Sequence, residues 1–282
     1  MSAEVAPGSA PRYRGPSALG DDLRRFWSLT WMLAVTDFKL RFFGSVLGYL
    51  WTLMRPLLLF GIIYVVFTKV VRFGSGVQDY AVYLLTGIVL FTFFAEATSR
   101  GVTSLVEREN LLRKIRFPRL VIPLSVTLAA FFNLAANLVA VLVFVLISGI
   151  EPRLDWIQVP LLIAMLVVFA SGVATLLSAL FVRYRDMQPI WEVALQMLFY
   201  GSPVLYVITF VPEDLRVLAA CNPIATILIQ MNHALIDPNA DTAVTVLGSW
   251  AMLLVPVGIV VVIFAVGLWV FFRETPRIAE NL

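Results

Sequence analysis

The side chains that most often carry catalytic or metal chemistry are scarce in this chain of 282 residues. It contains one cysteine, Cys221, and one histidine, His233, so Cys and His cannot together form a tetrahedral zinc site. A lone histidine within an apolar run is more often structural than catalytic. The three lysines are followed by Leu, Val and Ile, and neither a P-loop nor a Gly-x-Ser-x-Gly motif occurs. We predict no catalytic residue, no metal site and no cofactor bound by this chain.

The polar residues inside the apolar parts of the chain do not suit ion-coupled transport. Such transport usually places acids or bases in the middle of a membrane span, whereas Glu96 and Glu192 are expected near the ends of theirs. The mid-span polar residues are the amides Asn133, Asn137 and Gln196, and amides typically form hydrogen bonds between helices. Whatever this chain moves, its sequence contains no energy source of its own.

The overall composition indicates what kind of protein, and what kind of secondary structure, carries these polar residues. Hydrophobic residues make up 60% of the chain and charged residues 14%, and the mean hydropathy is +0.90. A soluble domain has about 25% charged residues, so this chain has too little polar surface to cover itself in water. The composition excludes an ordinary soluble enzyme, a disordered chain and a nucleic-acid-binding protein. It predicts an all-α, multi-pass membrane protein.

Six apolar runs are long enough to cross the membrane, because a transmembrane helix needs about 20 mostly apolar residues. The dipeptide Arg55-Pro56 lies inside the first run and predicts a kink or a division there. The runs are 46–71, 80–99, 120–150, 156–182, 189–210 and 243–272. Together they form a predicted transmembrane domain over residues 45–282.

The charges between the runs predict the orientation of the chain. Lys and Arg concentrate before the first run, in the second and fourth connections and after the last run. The remaining connections are instead rich in acids, and the positive-inside rule therefore places both termini in the cytoplasm. The acids on the predicted outer side are Asp79, Glu151, Asp155, Glu213, Asp214, Asp237 and Asp241.

The segment 21–44 is predicted to be an amphipathic helix in the cytoplasmic interface, preceded by a disordered cytoplasmic tail over residues 1–20. Its apolar residues recur at helical spacing, and Trp and Arg suit the headgroup region. A plain anchoring helix with no role in transport is the alternative. The apolar face consists of Leu23, Trp27, Trp31, Ala34 and Phe38.

A second segment, 211–238, is predicted to be a re-entrant hairpin on the outer side. Pro212, Pro223 and Pro238 interrupt it, and its apolar run, 224–236, is too short to cross the membrane. Irregular backbone at membrane depth persists only where protein or a water-filled cavity satisfies it. This segment is therefore a candidate for the outer mouth of a pathway.

The cytoplasmic connection 107–117 is predicted to hold a short helix that docks on a partner. Leu111, Leu112 and Ile115 form one apolar face, charged residues cover the rest, and Pro118 ends the helix. A small apolar ridge on a charged helix suits a groove on another protein. A solvated loop helix is the alternative.

Four sequence blocks together resemble one family. They are TDFKLRFFGSVLGYLWTLMRPLLL at 36–59, ENLLRKIRFPRLVIPL at 109–124, RYRDMQPIWEVALQMLFYGSPVLY at 183–206, and Asn222-Pro223. Their order and spacing resemble the permease subunit of type-2 ATP-binding-cassette exporters, in the branch that exports lipid-linked polysaccharides. The resemblance extends over most of the chain, from about residue 36 to 280.

The resemblance implies a homodimer of six-span chains in a bacterial cytoplasmic membrane, driven by two copies of a separate cytoplasmic ATPase that binds ATP and Mg. Its substrate would be a glycan on undecaprenyl or decaprenyl pyrophosphate, such as an O-antigen, a teichoic acid or a cell-wall galactan, and membrane lipids would surround it. The segment 107–117 would be the coupling helix. Its coupling residues would be Glu107, Arg108, Glu109, Asn110, Leu111, Leu112, Arg113, Lys114, Ile115 and Phe117.

Aromatic rings line the channel in such exporters, since sugars stack on them with little specificity. Packing or lipid contact is the alternative for each ring. Arg41 and Arg55 are the candidates for binding the carrier pyrophosphate, with interfacial anchoring as their alternative. The candidate channel residues are Trp51, Phe60, Tyr64, Phe67, Phe91, Phe94, Phe131, Trp191, Phe199 and Tyr200.

Two other functions are compatible with the sequence. An exporter of drugs or small lipids would have the same fold with a narrower channel. A polytopic glycosyltransferase that uses a carrier-lipid sugar would need a catalytic acid in the first outer loop, where Asp79 is the candidate.

Overall fold

The computed structural model of the chain describes residues 23–42, 46–72, 77–114 and 118–281. These residues form helices joined by short turns, and no strand occurs among them. The predicted tail 1–20, the predicted coupling residues Ile115 and Phe117, and the side chains of Arg113 and Lys114 lie outside the part described. The first five helices are α1 (Leu23–Phe42), α2 (Val46–Val65, continued by a π-helical turn at Val66–Val70), α3 (Tyr80–Glu107), α4 (Glu109–Lys114) and α5 (Val121–Ile147).

The second half of the chain contains six further α-helices. A 3₁₀ turn at Leu154–Ile157 precedes the first of them, and another at Ile208–Phe210 precedes the third. The helices are α6 (Gln158–Arg183), α7 (Met187–Gly201), α8 (Glu213–Ala220), α9 (Pro223–Met231, followed by a π-helical turn at Asn232–Ile236), α10 (Ala243–Leu247) and α11 (Leu254–Asn281).

Five helical segments of the described chain are long and apolar enough to cross a membrane. A sixth would be α8 with the continuous helix Pro223–Ile236, if that pair, bent by 103°, counts as one span. The predicted all-α, multi-pass architecture is therefore confirmed. The five segments are Leu50–Val70, Tyr80–Glu107, Val121–Ile147, Leu154–Arg183 and Leu254–Glu274.

Four predicted runs differ from the helices observed. The second run ends at residue 99, whereas α3 continues to Glu107. The first run is not divided, because α2 continues through Pro56. The fifth run contains α7, whose 15 residues rise roughly 22 Å, and from Ser202 the chain leaves the helix. The last run is divided, because α10 ends at Gly248 in a left-handed conformation (φ 82°) and α11 begins at Leu254.

The central helix of the fold is α3, which packs against α2, α5, α6 and α7. In its most apolar part, 78% of the residues are buried, compared with 11% for the span Leu50–Val70. Small residues bring other helices close to it. A Cβ atom on Gly101 would lie 2.6 Å from the Cβ of Ala174 on α6, so only glycine fits this contact.

A second close contact joins α6 to α11. A Cβ atom on Gly172 would lie 2.7 Å from the Cα of Phe264, and one on Gly267 would lie 2.5 Å from the carbonyl oxygen of Gly172. Two glycines facing each other allow the two backbones to touch, which is a common way to join membrane helices. Because α6 also packs on α3, this contact links α11 to the core.

The interface helix α1 packs mainly against α5. Its buried residues are Phe26, Thr30 and Ala34. On the predicted apolar face, Trp27 and Trp31 are 61% and 58% exposed. Their position at headgroup depth in the interface stays a prediction. Phe26 joins a cluster with Leu105, Leu120, Val121, Ile122, Ala179, Val182 and Phe271.

Candidate functional site

Helix α7 is held on α3 through one of its faces. Trp191 Nε1 donates a hydrogen bond to Thr98 Oγ1 at 3.0 Å. Leu195, one turn later, is buried, and Phe199, a further turn along, meets Phe91 edge-on with ring centroids 5.0 Å apart. Residues at this spacing lie on the same side of a helix, so α7 presents one continuous face to α3.

Several of the predicted channel rings form a chain of contacts between α7 and α3. Tyr200 contacts Phe199 at 5.3 Å between ring centroids, and Phe91 links Phe199 to Phe94. Phe94 is stacked on Phe169 at 5.2 Å. Because Phe94 has no exposed surface and Phe91 almost none, these two rings pack inside the chain. Tyr200 is the exposed end of this series.

The aromatic rings of α2 form a second group near the start of α3. Phe60 stacks on Tyr64 with centroids 5.6 Å apart, and Tyr64 stacks on Tyr80 at 6.4 Å. Phe60 also meets Phe144 of α5 edge-on. All of these α2 rings, with Phe67, are half-buried against the core. The structure thus brings Phe60, Tyr64 and Phe67 to one side of α2, as their spacing predicts.

Two predicted channel residues lie outside these groups. Trp51 on α2 is exposed, and Phe131 on α5 is half-buried against the core. The predicted aromatic set therefore divides into buried rings, half-buried rings and the exposed rings Trp51 and Tyr200.

The irregular segment between α7 and α8 is held by tyrosines of α3. Tyr80 Oη donates a hydrogen bond to the carbonyl oxygen of Leu205 at 2.7 Å. Tyr83 Oη lies within hydrogen-bond distance of the carbonyl oxygens of Pro203 and Tyr206. Non-helical backbone at membrane depth needs such partners. Sequence analysis missed both tyrosines, although polar aromatic residues at the first turn of an apolar run are a signal for this role.

The same irregular segment is tied to the hairpin that follows it. Asn222 Nδ2 donates to Ser202 Oγ at 2.8 Å, and Asn222 Oδ1 accepts a hydrogen bond from the backbone N–H of Ile224 at 3.0 Å. Asn222 is therefore the N-cap of α9, with Pro223 at the first helical position. All but one of the α9 residues are buried, so protein surrounds this short helix.

Arg41, one of the two candidates for binding pyrophosphate, is already paired with a carboxylate. Its guanidinium forms an ion pair with Glu96 of α3. Glu96 Oε1 also accepts a hydrogen bond from Asn133 Nδ2 at 2.8 Å and lies 3.7 Å from Arg100. The other candidate, Arg55, is exposed on α2, and no ion pair involves it among the residues described. Of the two, Arg55 is the guanidinium open to a phosphate.

A second ion pair joins α1 to the end of α3 next to the predicted coupling helix. Arg108 pairs with Asp37 of α1 and donates a hydrogen bond to Ser125 Oγ of α5 at 3.0 Å. The following residue begins α4. Leu111 and Leu112 of α4 are half-buried against the cluster around Phe26. The predicted docking ridge is therefore partly covered by the chain itself.

The other described coupling residues present polar groups around α4. Glu107 is exposed, and its Oε1 accepts a hydrogen bond from Thr103 Oγ1 at 2.6 Å. Asn110 is exposed and Glu109 is half-buried. Of the described coupling residues, Glu107 and Asn110 are thus the exposed ones, and Arg108 links this segment to α1.

Comparisons with known proteins identify several chains of similar sequence. The chain is 29% identical over 247 residues to the O-antigen export system permease protein RfbA of Klebsiella pneumoniae, covering 87% of this chain and 92% of that protein. It is 28% identical to the protein of the same name from Myxococcus xanthus, covering 82% and 92%. It is 20% identical to the polysialic acid transport protein KpsM of Escherichia coli, covering 73% and 80%.

A family model also matches most of the chain. The match extends over residues 28–235 and is described as ABC-2 type transporter. It includes most of α1, the central helix α3, the predicted coupling segment and nearly all of the bent hairpin. The resemblance stated from the four sequence blocks is confirmed: this chain belongs to the ABC-2 type transporter family.

Proposed function

We propose that this chain is the transmembrane subunit of an ATP-driven exporter that moves a lipid-linked polysaccharide across the cytoplasmic membrane. The observation that carries the proposal is the similarity over 87% of the chain to a protein named as an O-antigen export permease. The polysialic acid transport protein supports the same class of cargo. Candidate cargoes are an O-antigen, a teichoic acid or a cell-wall galactan on undecaprenyl or decaprenyl pyrophosphate.

The energy for export would come from a partner. We propose a homodimer of this chain with two copies of a cytoplasmic ATPase, which would hold ATP and Mg. The segment 107–117 would contact the ATPase. Arg108 supports this assignment because it directly precedes α4 and is paired with Asp37 on α1. A displacement of the segment would thus pull on α1 as well as on α3.

The carrier pyrophosphate would bind at Arg55. A guanidinium binds phosphate oxygens through paired hydrogen bonds, and Arg55 is exposed on α2. Arg41 would take part only by exchanging Glu96 for the phosphate, because that carboxylate is its partner in the resting chain. The glycan would follow the exposed and half-buried aromatic rings, among them Tyr200 and Trp191, whereas Phe91 and Phe94 would support them from inside.

Export is tested in the native host after deletion of the gene. We expect surface polysaccharide to disappear and lipid-linked glycan to accumulate inside, with the wild-type gene restoring export. Arg55→Ala should lower export at unchanged membrane abundance, and Arg55→Lys should retain part of it, since a lysine keeps the charge but loses the paired geometry. Unchanged surface polysaccharide in the deletion strain would refute the proposed cargo class and favour export of drugs or small lipids.

The partner is tested by affinity purification from mild detergent. Wild-type protein should recover a P-loop ATPase in equal amount, and replacement of Arg113 and Lys114 by Glu should abolish this recovery. The matched control is the replacement of Arg183 and Arg185 by Glu, since both are exposed basic residues at the other predicted cytoplasmic connection. Recovery of the ATPase by both variants would remove the coupling role from the segment 107–117.

A further inference from the structure

A cavity of about 290 Å³ lies where three irregular segments of the chain meet. The segments are the turn before α3, the stretch between α7 and α8, and the loop 237–241 before α10. The first and the third belong to connections that the charge pattern assigns to the outer side, so the cavity is predicted to open there. It is here named the loop cavity, and none of its described lining residues is a predicted channel residue.

One side of the loop cavity is apolar and fixed in position. Val207, Ile208 and Ile229 line it, and all three are buried. Tyr83 completes this side, and its hydroxyl group is bound to two backbone carbonyl oxygens of the irregular segment. A sugar ring has apolar C–H surfaces as well as hydroxyl groups, and a largely apolar wall with a few polar groups is typical of small-ligand pockets.

The other side carries polar groups that the chain itself does not use. The side chain of Asn232 is half-buried and forms no hydrogen bond among the residues described. Asp241 has neither an ion pair nor a hydrogen bond in that part of the chain. Asp237 Oδ1 accepts a hydrogen bond from the backbone N–H of Asn239 at 2.9 Å, which leaves its Oδ2 available. The further polar residues of the wall are Gln78, Thr209 and Asn239.

The loop that carries these groups is held in place by its own hydrogen bonds. The backbone N–H of Asp237 donates to the carbonyl oxygen of Asn232 at 3.0 Å, and that of Ala240 donates to the carbonyl oxygen of Asp237 at 3.1 Å. His233 Nδ1 lies 3.0 Å from the carbonyl oxygen of Ala240. A wall that is already ordered loses little conformational entropy when a ligand binds.

We propose that the loop cavity binds one uncharged sugar unit of the glycan after it has crossed the membrane. This inference rests on the proposed function and identifies the part of the cargo that is recognised. Amide and carboxylate oxygens accept hydrogen bonds from sugar hydroxyl groups, and an amide N–H donates to them. Asp237 and Asp241 would repel an acidic sugar, and no basic residue is among the described lining residues. A sugar held in this cavity opposes backward movement of the polymer.

A metal ion fits the loop cavity less well than a sugar. Calcium takes about six to eight oxygen ligands. Within the described part of the chain, no group of three or more acidic, His or Cys side chains is placed to hold a metal ion. Two carboxylates in a wall of amide, hydroxyl and apolar groups suit the several weak hydrogen bonds of a sugar.

Occupancy is tested by protection of an introduced thiol in membrane vesicles that contain the whole transporter. In a Cys221→Ser background, Asn239→Cys places a thiol on the cavity wall. Asp214→Cys is the control, since Asp214 is exposed on α8 and does not line the cavity. The neutral probes are the methyl glycosides of galactose, mannose and glucose. The acidic probes are the corresponding uronic acid glycosides, each of which differs from its neutral partner by one carboxylate.

We expect at least one neutral glycoside to slow the reaction of residue 239 with N-ethylmaleimide at least about threefold, as a ligand present at about twice its Kd would. Its uronic acid partner should not do so, because like charges repel. Reaction at residue 214 should be the same with every probe. The proposal is overturned if no neutral glycoside protects residue 239, or if the uronic acid partner protects it equally well.

The polar groups of the wall are tested by substitution in the Asn239→Cys chain. Asn232→Leu removes the amide at similar volume and should weaken protection by the neutral glycoside roughly three- to tenfold, the factor expected for one lost hydrogen bond. Asp241→Lys should reverse the preference and favour the uronic acid glycoside. Asp214→Lys is the matched control and should leave the preference as it is. An unchanged preference in Asp241→Lys would overturn the role assigned to charge.

The contribution to transport is tested by export in the host. Asn232→Leu should lower the rate of polysaccharide export about two- to threefold at unchanged membrane abundance, because the emerging glycan is held less well. Asp214→Asn is the control and should export as the wild type does. Wild-type export by Asn232→Leu would overturn the role in holding the polymer. If the wild-type chain exports no polysaccharide, the proposed function fails, whereas the protection experiment still decides whether the loop cavity binds an uncharged sugar.

Discussion

The two ends of α3 hold their neighbours by different chemistry. At the Tyr80 end, two phenol groups donate hydrogen bonds to backbone carbonyl oxygens of the irregular segment after α7. Towards the Glu107 end, Glu96 and Arg108 form ion pairs with Arg41 and Asp37 of α1. One helix thus anchors two segments that do not span the membrane, one through neutral groups and the other through charges.

The difference separates a fixed contact from an exchangeable one. A buried carbonyl oxygen that loses its donor has no alternative partner, so the tyrosine contacts are costly to break. The ion-pair side chains are 16–29% exposed, so water and salt still reach them in part, and a charged group can exchange its partner for water or another ion. The charged end of α3 adjoins the proposed coupling segment and is suited to movement. The Tyr80 end is suited to holding a rigid frame.

Loss of the Tyr83 hydroxyl should have the largest effect. Tyr83→Phe leaves the carbonyl oxygens of Pro203 and Tyr206 without this donor, and we expect the free energy of unfolding to fall by about 2–3 kcal/mol. The measurement is unfolding of the purified protein in mixed micelles. Tyr184→Phe, which alters an exposed tyrosine between α6 and α7, is the control. Equal stability of the two variants would show that the Tyr80 end is not held as described.

Loss of the Glu96 charge should have the next largest effect. Glu96→Gln keeps the shape of the side chain but removes the carboxylate that faces Arg41 and Arg100. We expect a loss of about 1–2 kcal/mol in the same assay, less than for a fully buried pair because these groups are half-exposed. Glu213→Gln alters an exposed carboxylate 3.8 Å from Arg216 and should change nothing measurable. If Glu96→Gln lowers the free energy of unfolding as much as Tyr83→Phe does, the proposed difference between the two ends of α3 is contradicted.

The pair Asp37–Arg108 should show a smaller, separable interaction. A double-mutant cycle with Asp37→Asn and Arg108→Gln should give a coupling energy of about 0.5–1 kcal/mol. If the pair also transmits movement from the coupling segment, each single variant should lower ATP-driven export more than it lowers stability. If the effects of the two substitutions on the free energy of unfolding are additive, the Asp37–Arg108 pair contributes nothing to the contact between α1 and the end of α3.

Added salt should produce the smallest effect, and it should weaken the contacts only at the Glu107 end of α3. Raising the ionic strength to 1 M shortens the Debye length to about 3 Å. We expect the Asp37–Arg108 coupling energy to fall by roughly 0.3 kcal/mol, while the cost of Tyr83→Phe stays constant. The measurement repeats the unfolding series at both ionic strengths. If the energies at the two ends of α3 depend equally on salt, the two ends are not held by different chemistry.

Much of the architecture follows from local features of the sequence. The composition requires a membrane, and the run lengths predict α2, α5 and α6 closely, together with the start of α3. Asn222-Pro223 predicts the start of α9, since a cap and a proline act within one turn. Gly248 ends α10 because glycine readily adopts the left-handed conformation found after the last helical residue. The four blocks were sufficient to identify the family.

Burial in this chain could not be predicted in the same way. In water, the apolar side of a helix shows which face packs, but lipid is as apolar as a protein core. Apolar residues therefore occur on more than one face, and the helical spacing in α1 does not show that the fold buries Phe26 and Thr30. The aromatic residues posed the same problem, because nothing in the local sequence distinguishes the buried Phe94 from the exposed Tyr200.

The sequence by itself determined that this is a helical membrane protein, where its helices lie and to which family it belongs, because length, hydropathy and motif spacing are local properties. Only the tertiary structure decided which faces meet. The tyrosine contacts at 203–206, the pairing of Arg41 with Glu96 and the stacking of Phe94 on Phe169 all depend on residues far apart in the chain. Their partners are brought together by packing on α3, which no short stretch of sequence encodes.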